Sequence, residues 1–177
     1  ESAPSDVIAA KTIPSEDYKT LSFENLPSEG SGSIIGDSIL WNYDDIEIPT
    51  QENFYGLHPN YIKVNKEGGF NIPLSNGCEE IYIRAISADM ESPATLELFI
   101  NNSSIGQMQI NSDTLLADVY SLGDVNLVGD VSVKIQVKDY DVYISDIAIK
   151  EKPISEEPIS GSFDVGENGD YSTLNQA

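Results

Sequence analysis

The chain has 177 residues, enough for one domain with a real hydrophobic core. Its 9 basic and 30 acidic side chains give a formal net charge of −21, which argues against general nucleic-acid or anionic-membrane binding, because both need a basic surface. No apolar run is long enough to cross a bilayer, and the single cysteine, Cys78, excludes an intrachain disulfide.

The chain divides by composition into four segments. Residues 1–18 mix serine, proline, alanine and charge without a period, which indicates a linker or a loosely docked arm. Residues 19–150 hold the strand patterns of one domain. Residues 151–161, "EKPISEEPISG", are predicted to be an acidic linker stiffened by proline, and residues 162–177 to be the truncated start of a following domain.

Short strands with turn residues between them fill residues 19–150. The weaker strand patterns are "TLSFENL", "SILWNY", "YIKV" and "FNIPL". Clear alternation follows in "EEIYIRAIS", "ATLELFI", "IGQMQI", "VSVKIQVK" and "VYISDIAIK", and Asn101-Asn102 predicts the turn of a hairpin. No window of helical length shows a helical period. The predicted fold class is therefore all-β, an antiparallel β-sandwich of jelly-roll type.

Polar side chains share one face of several predicted strands. Lys134, Gln136 and Lys138 alternate with valine and isoleucine in one strand, and Tyr82 and Arg84 take the non-core face of another. If the strands share a sheet, its outer face concentrates cations that are scarce elsewhere in the chain. Lysine and arginine pair with carboxylates, and amides hydrogen-bond sugar hydroxyls. An ordinary solvated sheet face explains the same pattern.

Aromatic residues form a second candidate surface in "LWNY" and "NFYGLHPNY". Trp41 and Tyr61 would form a platform, with the cations Lys63 and Lys66 directly after it in the sequence. The alternative is burial in the core, which is the usual environment of tryptophan and tyrosine.

No catalytic constellation is present in the sequence. The one histidine, His58, and the one cysteine are far apart, and neither lies in a nucleophile motif. Adjacent carboxylates such as Asp44-Asp45 point to opposite faces of a strand and do not form an acid–base pair. The sequence therefore predicts that these residues are not themselves an enzyme.

The stretch "NYIKVNKEGGFNIPLSNGCEEIYIRAIS", with "ATLELFINNSSIGQM" and "VKDYDVYISDIAIK" after it, resembles the β-sandwich modules attached to bacterial pectinases, in particular carbohydrate-binding module family 77. The resemblance covers roughly residues 20–150. It implies that lysines bind the carboxylates of the galacturonan backbone, with Lys63 in the matching position. The acidic charge of the chain leaves a neutral glycan open as the ligand.

Jelly-roll carbohydrate-binding modules often hold one structural Ca²⁺ between the first and last strands. Here Glu24 in the first predicted strand and Asp146 in the last would supply carboxylate oxygens, the ligand type that calcium prefers. One structural calcium ion is therefore a prediction of the resemblance.

The tail "FDVGENGDYSTLNQA" resembles the opening of right-handed β-helix proteins, a group that includes pectate lyases, pectin methylesterases and some phage tail proteins. Together the two resemblances imply an extracellular or cell-surface bacterial module. It would be a non-catalytic domain that holds a linked enzyme near plant cell-wall polysaccharide, with pectin favoured. The alternative is a structural or docking sandwich that acts as a spacer in a surface or phage-tail protein and binds no glycan.

Overall fold

Ten β-strands make up the part of the chain that the structure describes. The computed structural model describes residues 13, 17–23, 29–50, 57, 60–112, 117–122, 125 and 127–152. The strands are β1 (Lys19–Ser22), β2 (Gly30–Gly36), β3 (Ile39–Glu47), β4 (Ile62–Leu74), β5 (Glu80–Ser87), β6 (Ala94–Ile100), β7 (Ser103–Ile110), β8 (Asp118–Leu122), β9 (Val131–Val137) and β10 (Val142–Lys150). The described residues contain no helix, and therefore no helix that is long and apolar enough to cross a membrane.

The strands form two antiparallel layers joined through β4. The larger sheet has the order β2-β3-β4-β9-β6-β7. In the smaller sheet β10 pairs with β5 on one side and with β1 and the start of β4 on the other, and β8 pairs with β5. Ile62–Val64 pair with β10, whereas Gly69–Leu74 pair with β9, so β4 passes from one layer to the other. The predicted antiparallel jelly-roll sandwich is confirmed.

The core lies between the layers and follows from the alternation in the sequence. Val133 on β9 and Leu98 on β6 come from the larger sheet, and Ile83 on β5 and Ile147 on β10 come from the smaller one. All four are fully buried within one cluster. Each buried side chain of this size contributes roughly 1.5–3 kcal/mol relative to exposure, so the alternating strands supply most of the driving force for folding.

The hairpin between β6 and β7 forms as predicted. Asn101 and Asn102 have φ angles of 47° and 66°, the left-handed conformation that a tight hairpin turn requires and that asparagine tolerates. The Asn101 side chain also accepts a hydrogen bond from the Ser132 amide at 2.9 Å. The turn is thereby attached to β9, the next strand of the sheet.

Three strands differ from the prediction for identifiable reasons. β2 has the sequence GSGSIIG, in which glycine removes the alternation that identifies a strand. β8 is only 5 residues long, too short for a clear pattern. The segments "YIKV" and "FNIPL" belong to the single strand β4, because β3 pairs with both halves across the glycines between them.

Most of the predicted linkers and the predicted following domain fall outside the described residues. This applies to residues 1–12 and 14–16 of the predicted arm and to residues 153–177. The described strands run from Lys19 to Lys150, and the proposed segment boundaries stay a prediction.

Asp37 ties the first strand to the β2–β3 turn. The backbone N–H and the hydroxyl of Thr20 donate hydrogen bonds to Asp37 Oδ2 at 2.7 and 2.9 Å, and these bonds lower the pKa of Asp37. A depressed carboxyl pKa stabilises the fold above the unfolded-state pKa of about 3.9, and this stabilisation is lost as the pH falls through the lower folded-state pKa. Asp37→Asn should therefore lower the melting temperature at pH 7, by a difference that shrinks below about pH 4.

The matched control is Asp130→Asn, which changes an exposed aspartate that makes no hydrogen bond to another described residue. Melting temperatures measured from pH 7 to pH 3 should show no comparable pH-dependent difference for this variant. An Asp37→Asn effect of the same size at every pH would contradict the assignment of the stabilisation to the Asp37 carboxylate.

Candidate functional site

The outer face of the larger sheet carries a row of side chains in direct cross-strand register. Consecutive neighbours across the six strands are Cα partners, so one side chain from each strand contributes to the row. We call it the central row. From β2 to β7 its members are Ser33, Asn42, Asn71, Lys134, Phe99 and Ser104, and each is exposed or half-buried.

A second outward-facing row lies beside the central row and contains two carboxylates, those of Asp44 and Glu97. We call it the acidic row; from β3 to β7 its members are Asp44, Gly69, Gln136, Glu97 and Gln107. Gly69 places no side chain in the middle of this row. The sheet surface is therefore indented at Gly69, between polar side chains of the neighbouring strands.

This indentation forms a groove of about 400 Å³. Its lining is mostly amide and charged: Asn42, Tyr43, Asp44, Glu67, Gly68, Gly69, Phe70, Asn71, Asn102, Lys134 and Gln136. The groove crosses β3, β4 and β9 and reaches the β6–β7 turn. The structure thus brings together two of the predicted binding residues, Lys134 and Gln136, and adds amides that the sequence analysis did not single out.

The groove contains both hydrogen-bond donors and hydrogen-bond acceptors. Asn42 Nδ2 donates to the Asn71 carbonyl at 3.2 Å, Ser132 Oγ donates to Asn71 Oδ1 at 2.7 Å, and Gln136 Nε2 contacts Glu67. The remaining amide atoms, Asn42 Oδ1, Asn71 Nδ2 and Gln136 Oε1, make no hydrogen bond to any residue that the structure describes. Two acceptors and one donor are thereby available to a ligand.

Lys134 is held over an aromatic ring. Its Nζ lies 5.4 Å from the centroid of the Phe99 ring, within the range of a cation–π interaction. No ion pair links Lys134 to another described residue. Its ammonium can therefore donate hydrogen bonds into the groove while the ring supports its side chain.

Lys138, the next predicted cation on the same face, is engaged by the acidic row. Its Nζ lies 3.0 Å from Glu97 Oε2, and Ser104 Oγ donates to Glu97 Oε1 at 2.7 Å. The Ser104 hydrogen bond, followed by that of Lys138, lowers the pKa of Glu97. The ammonium of Lys138 is thereby compensated before any ligand arrives.

Lys63 and Lys66 lie at a different place, in a cavity of about 350 Å³ beside the β9–β10 turn. Lys63 Nζ pairs with Glu47 at 3.2 Å and with Asp141 at 3.0 Å. Burial opposes the charge of Lys63, but hydrogen bonds to Asp141 and Glu47 outweigh it and raise the pKa of this lysine. The two lysines are close together, yet Lys63 is already neutralised by two carboxylates.

Tyr82 and Arg84 lie in a different layer from Lys134, which corrects the expectation of one common outer face. Both lie on β5, in the smaller sheet on the opposite side of the sandwich. The Tyr82 ring packs edge-on against the Tyr18 ring, with the ring centroids 5.4 Å apart, and Arg84 Nε lies 3.3 Å from Asp146 Oδ2. These two residues are absent from the groove.

The proposed aromatic platform is also corrected by the structure. Trp41 is 0% exposed and donates from Nε1 to the Gly36 carbonyl at 3.0 Å, and Tyr61 is 5% exposed with its ring against Tyr143. Strand alternation turns Trp41 inward, as it does Ile39 and Tyr43. Neither ring presents a face on which a sugar could stack, so the burial alternative holds for both.

Asp146, the predicted calcium ligand on the last strand, is engaged by neighbouring side chains. It pairs with Arg84 and accepts a hydrogen bond from Ser145 Oγ at 2.7 Å. Its cross-strand partner in β1 is Ser22, and Glu24 lies outside the described residues. In the described ranges no three His, Cys, Asp or Glu side chains group around a possible metal position. The calcium site stays a prediction.

The structure describes only one of the two residues that the sequence analysis considered for catalysis, Cys78. Cys78 is fully buried, and burial raises the pKa of its thiol to about 12, so it is a neutral thiol at physiological pH. His58 lies outside the described residues.

Sequence reasoning missed Asn42 and Asn71, the amides at the centre of the groove. Both alternate with buried residues within their strands, which marks them as outward-facing. Their partnership depends on the pairing of β3 with β4, which no local pattern specifies. A search for outward-facing amides in every predicted strand would have found both residues.

No protein-family model matches the chain, and no curated protein sequence matches it significantly. The comparison with solved structures found matches at low sequence identity. The Podospora anserina GH26-CBM35 β-(1,4)-mannanase has a TM-score of 0.51 at 12% identity, over 82% of this chain and 29% of that chain. A carbohydrate-binding module CBM36 in complex with calcium and xylotriose has a TM-score of 0.49 at 14% identity, over 73% of this chain and 98% of that chain. A CBM36-1 domain of a multidomain xylanase, from the hindgut metagenome of Trinervitermes trinervoides, has a TM-score of 0.49 at 12% identity, over 77% and 99%. At 12% identity the likeness to the mannanase is one of fold alone. The jelly-roll sandwich itself follows from the strand pairing.

Proposed function

We propose that the chain is a non-catalytic carbohydrate-binding module whose groove on the larger sheet holds a neutral polysaccharide. The observation that carries the proposal is the set of amide atoms around Gly69 that no described residue engages, with Lys134 beside them. A sugar hydroxyl both donates and accepts, so a mixed set of donors and acceptors suits it. The groove also crosses three neighbouring strands, which suits a chain that lies across the surface.

The charges around the groove favour a neutral glycan over galacturonan. Asp44 and Glu67 line the groove itself, and Glu97 lies in the acidic row with Asp44. The resemblance and the strand pattern predict that Lys63 and Lys138 bind galacturonate. Both lysines instead form ion pairs with carboxylates of the chain. A polyuronate would have to displace those partners and approach a chain with a formal net charge of −21.

In the full protein the module would act by proximity. A linked enzyme that is held on a plant cell-wall polysaccharide meets its substrate at a high effective concentration, without any contribution of the module to bond cleavage. The tail that resembles a β-helix opening supports such a partner and an extracellular setting. The mannanase with a similar fold carries a module named CBM35 within a longer chain.

Affinity electrophoresis through gels that contain one polysaccharide each would test the proposal. The panel is xylan, glucomannan, galactan, mixed-linkage glucan and polygalacturonate. We expect retardation by at least one neutral glycan, and we expect Asn71→Ala and Lys134→Ala to weaken it about tenfold, or about 1.4 kcal/mol each. Lys150→Ala is the matched control, because Lys150 pairs with Glu79 on the smaller sheet, away from the groove.

Each other outcome of the panel has a defined meaning. Folded protein that no glycan retards would contradict the proposal and favour the spacer interpretation. Retardation by polygalacturonate alone, lost in Lys63→Ala, would return the ligand to pectin and the site to the cavity beside the β9–β10 turn. Melting temperatures measured with calcium chloride and with EDTA test the predicted ion, because a structural calcium would raise the melting temperature and its removal would lower it.

A further inference from the structure

We propose, resting on the proposed function, that the ligand is an extended glycan chain that lies across the strands along the central row. One sugar residue would sit over each strand, and at least four would be needed for full affinity. The geometry that points to this is the register of the row, which continues over six neighbouring strands from β2 to β7.

The row repeats at the strand spacing. Neighbouring strands lie about 4.8 Å apart, so five spacings carry the row over about 24 Å. The advance per residue of an extended pyranose chain is close to one such spacing. A chain perpendicular to the strands would therefore meet equivalent positions, with Asn42, Asn71 and Lys134 as consecutive hydrogen-bonding side chains and Phe99 after them.

The surface beside the central row differs on its two sides. One side is the acidic row. On the other side Ile35 and Leu40 are cross-strand partners and are 74% and 43% exposed. Asn42 and Asn71 are antiparallel partners, so the residue two positions before Asn42 and the residue two positions after Asn71 lie on the same side of the row. These residues are Leu40 and Pro73, and both therefore lie on the side of Ile35. A pyranose chain has apolar C–H surfaces and hydroxyl edges, and this polar–apolar boundary matches both.

The row is open at both ends. β2 and β7 are the edge strands of the larger sheet, and the end members Ser33 and Ser104 are exposed. The open ends suit an internal stretch of a polysaccharide, whereas a pocket that selects chain ends needs a wall.

Calorimetric titration with cello-, manno- and xylo-oligosaccharides of two to six residues would test the inference. For the series that binds, the affinity should rise about tenfold or more between the dimer and the tetramer or pentamer and then level off. Asn42→Ala and Phe99→Ala, at the two ends of the amide and aromatic segment, should each weaken the hexamer about fivefold and shorten the length at which affinity levels off. Lys150→Ala serves again as the control, and melting curves verify that each variant folds.

The outcomes separate this inference from the proposed function. Binding of a polysaccharide together with equal affinity for dimer and hexamer would overturn the extended arrangement and leave the groove as a one- or two-sugar site. Weaker hexamer binding by Asn42→Ala with an unchanged length dependence would overturn it as well. Absence of binding to every glycan of the gel panel would overturn the proposed function and this inference with it.

Discussion

Gly69→Ala is expected to lower the free energy of unfolding by about 3 kcal/mol or more, at the upper end of the range for point substitutions. A Cβ at this position would lie 1.9 Å from the Ile135 carbonyl oxygen, well inside contact distance. The atom that it meets is backbone of the paired strand β9, which cannot move without breaking the ladder that holds the centre of the larger sheet. The midpoint of urea unfolding measures the loss.

Gly129→Ala is the matched control for Gly69→Ala. Its φ of 79° is positive, like the 158° of Gly69, but an added Cβ would meet no atom within 4 Å. It should therefore show only the conformational cost of about 1–2 kcal/mol for a side chain in that region. Equal urea midpoints for the two variants would contradict a steric cause at Gly69 and assign the whole effect to backbone conformation.

The same contact explains why the groove lies where it does. β4 passes close to β9 at Gly69, so no side chain can occupy that position of the acidic row. Asn71 and Gln136 remain on either side with room between them. The requirement for glycine in the sheet thus creates the indentation in its surface.

Local patterns predicted the strands well, because alternation is a property of each strand alone. The β9 sequence assigns Val133 and Ile135 to the core and Lys134 to the outer face with no knowledge of its neighbours. The same reasoning cannot say which strands are adjacent. Lys134 and Arg84 have identical local signatures but lie on opposite faces of the sandwich, because pairing between distant strands decides the layer.

The expectation that outward-facing cations are available to a ligand was only partly right, because local patterns do not specify which strands are neighbours. The strand patterns placed cations on outward faces, and the structure confirms outward positions for Lys134 and Lys138. However, Glu97 on β6 lies beside Lys138, and β6 and β9 become neighbours only in the folded sheet. With acidic side chains in large excess, a cation gains a carboxylate partner at most positions. Apart from the ammonium of Lys134, the available hydrogen-bonding groups identified in the groove are therefore amides.

Trp41→Ala is expected to lower the free energy of unfolding by about 3–5 kcal/mol, the usual cost of truncating a large aromatic residue in a core. Trp41 is fully buried and packs within the single core cluster. Its removal leaves a cavity, and the Gly36 carbonyl loses the hydrogen bond from Nε1. Trp41→Phe keeps most of the volume but not the donor, so its cost should be about 1–2 kcal/mol.

Trp41 also provides a direct optical test of the corrected role, because it is the only tryptophan of the chain. Its fluorescence should shift to longer wavelength on unfolding, since water reaches the ring only then. Titration with a glycan that the gels identify as a ligand should leave the emission of the folded protein unchanged, because the central row and the buried indole lie on opposite sides of the strand β3. A saturable change in emission on binding would show that a sugar reaches the ring, and it would restore Trp41 as a candidate platform.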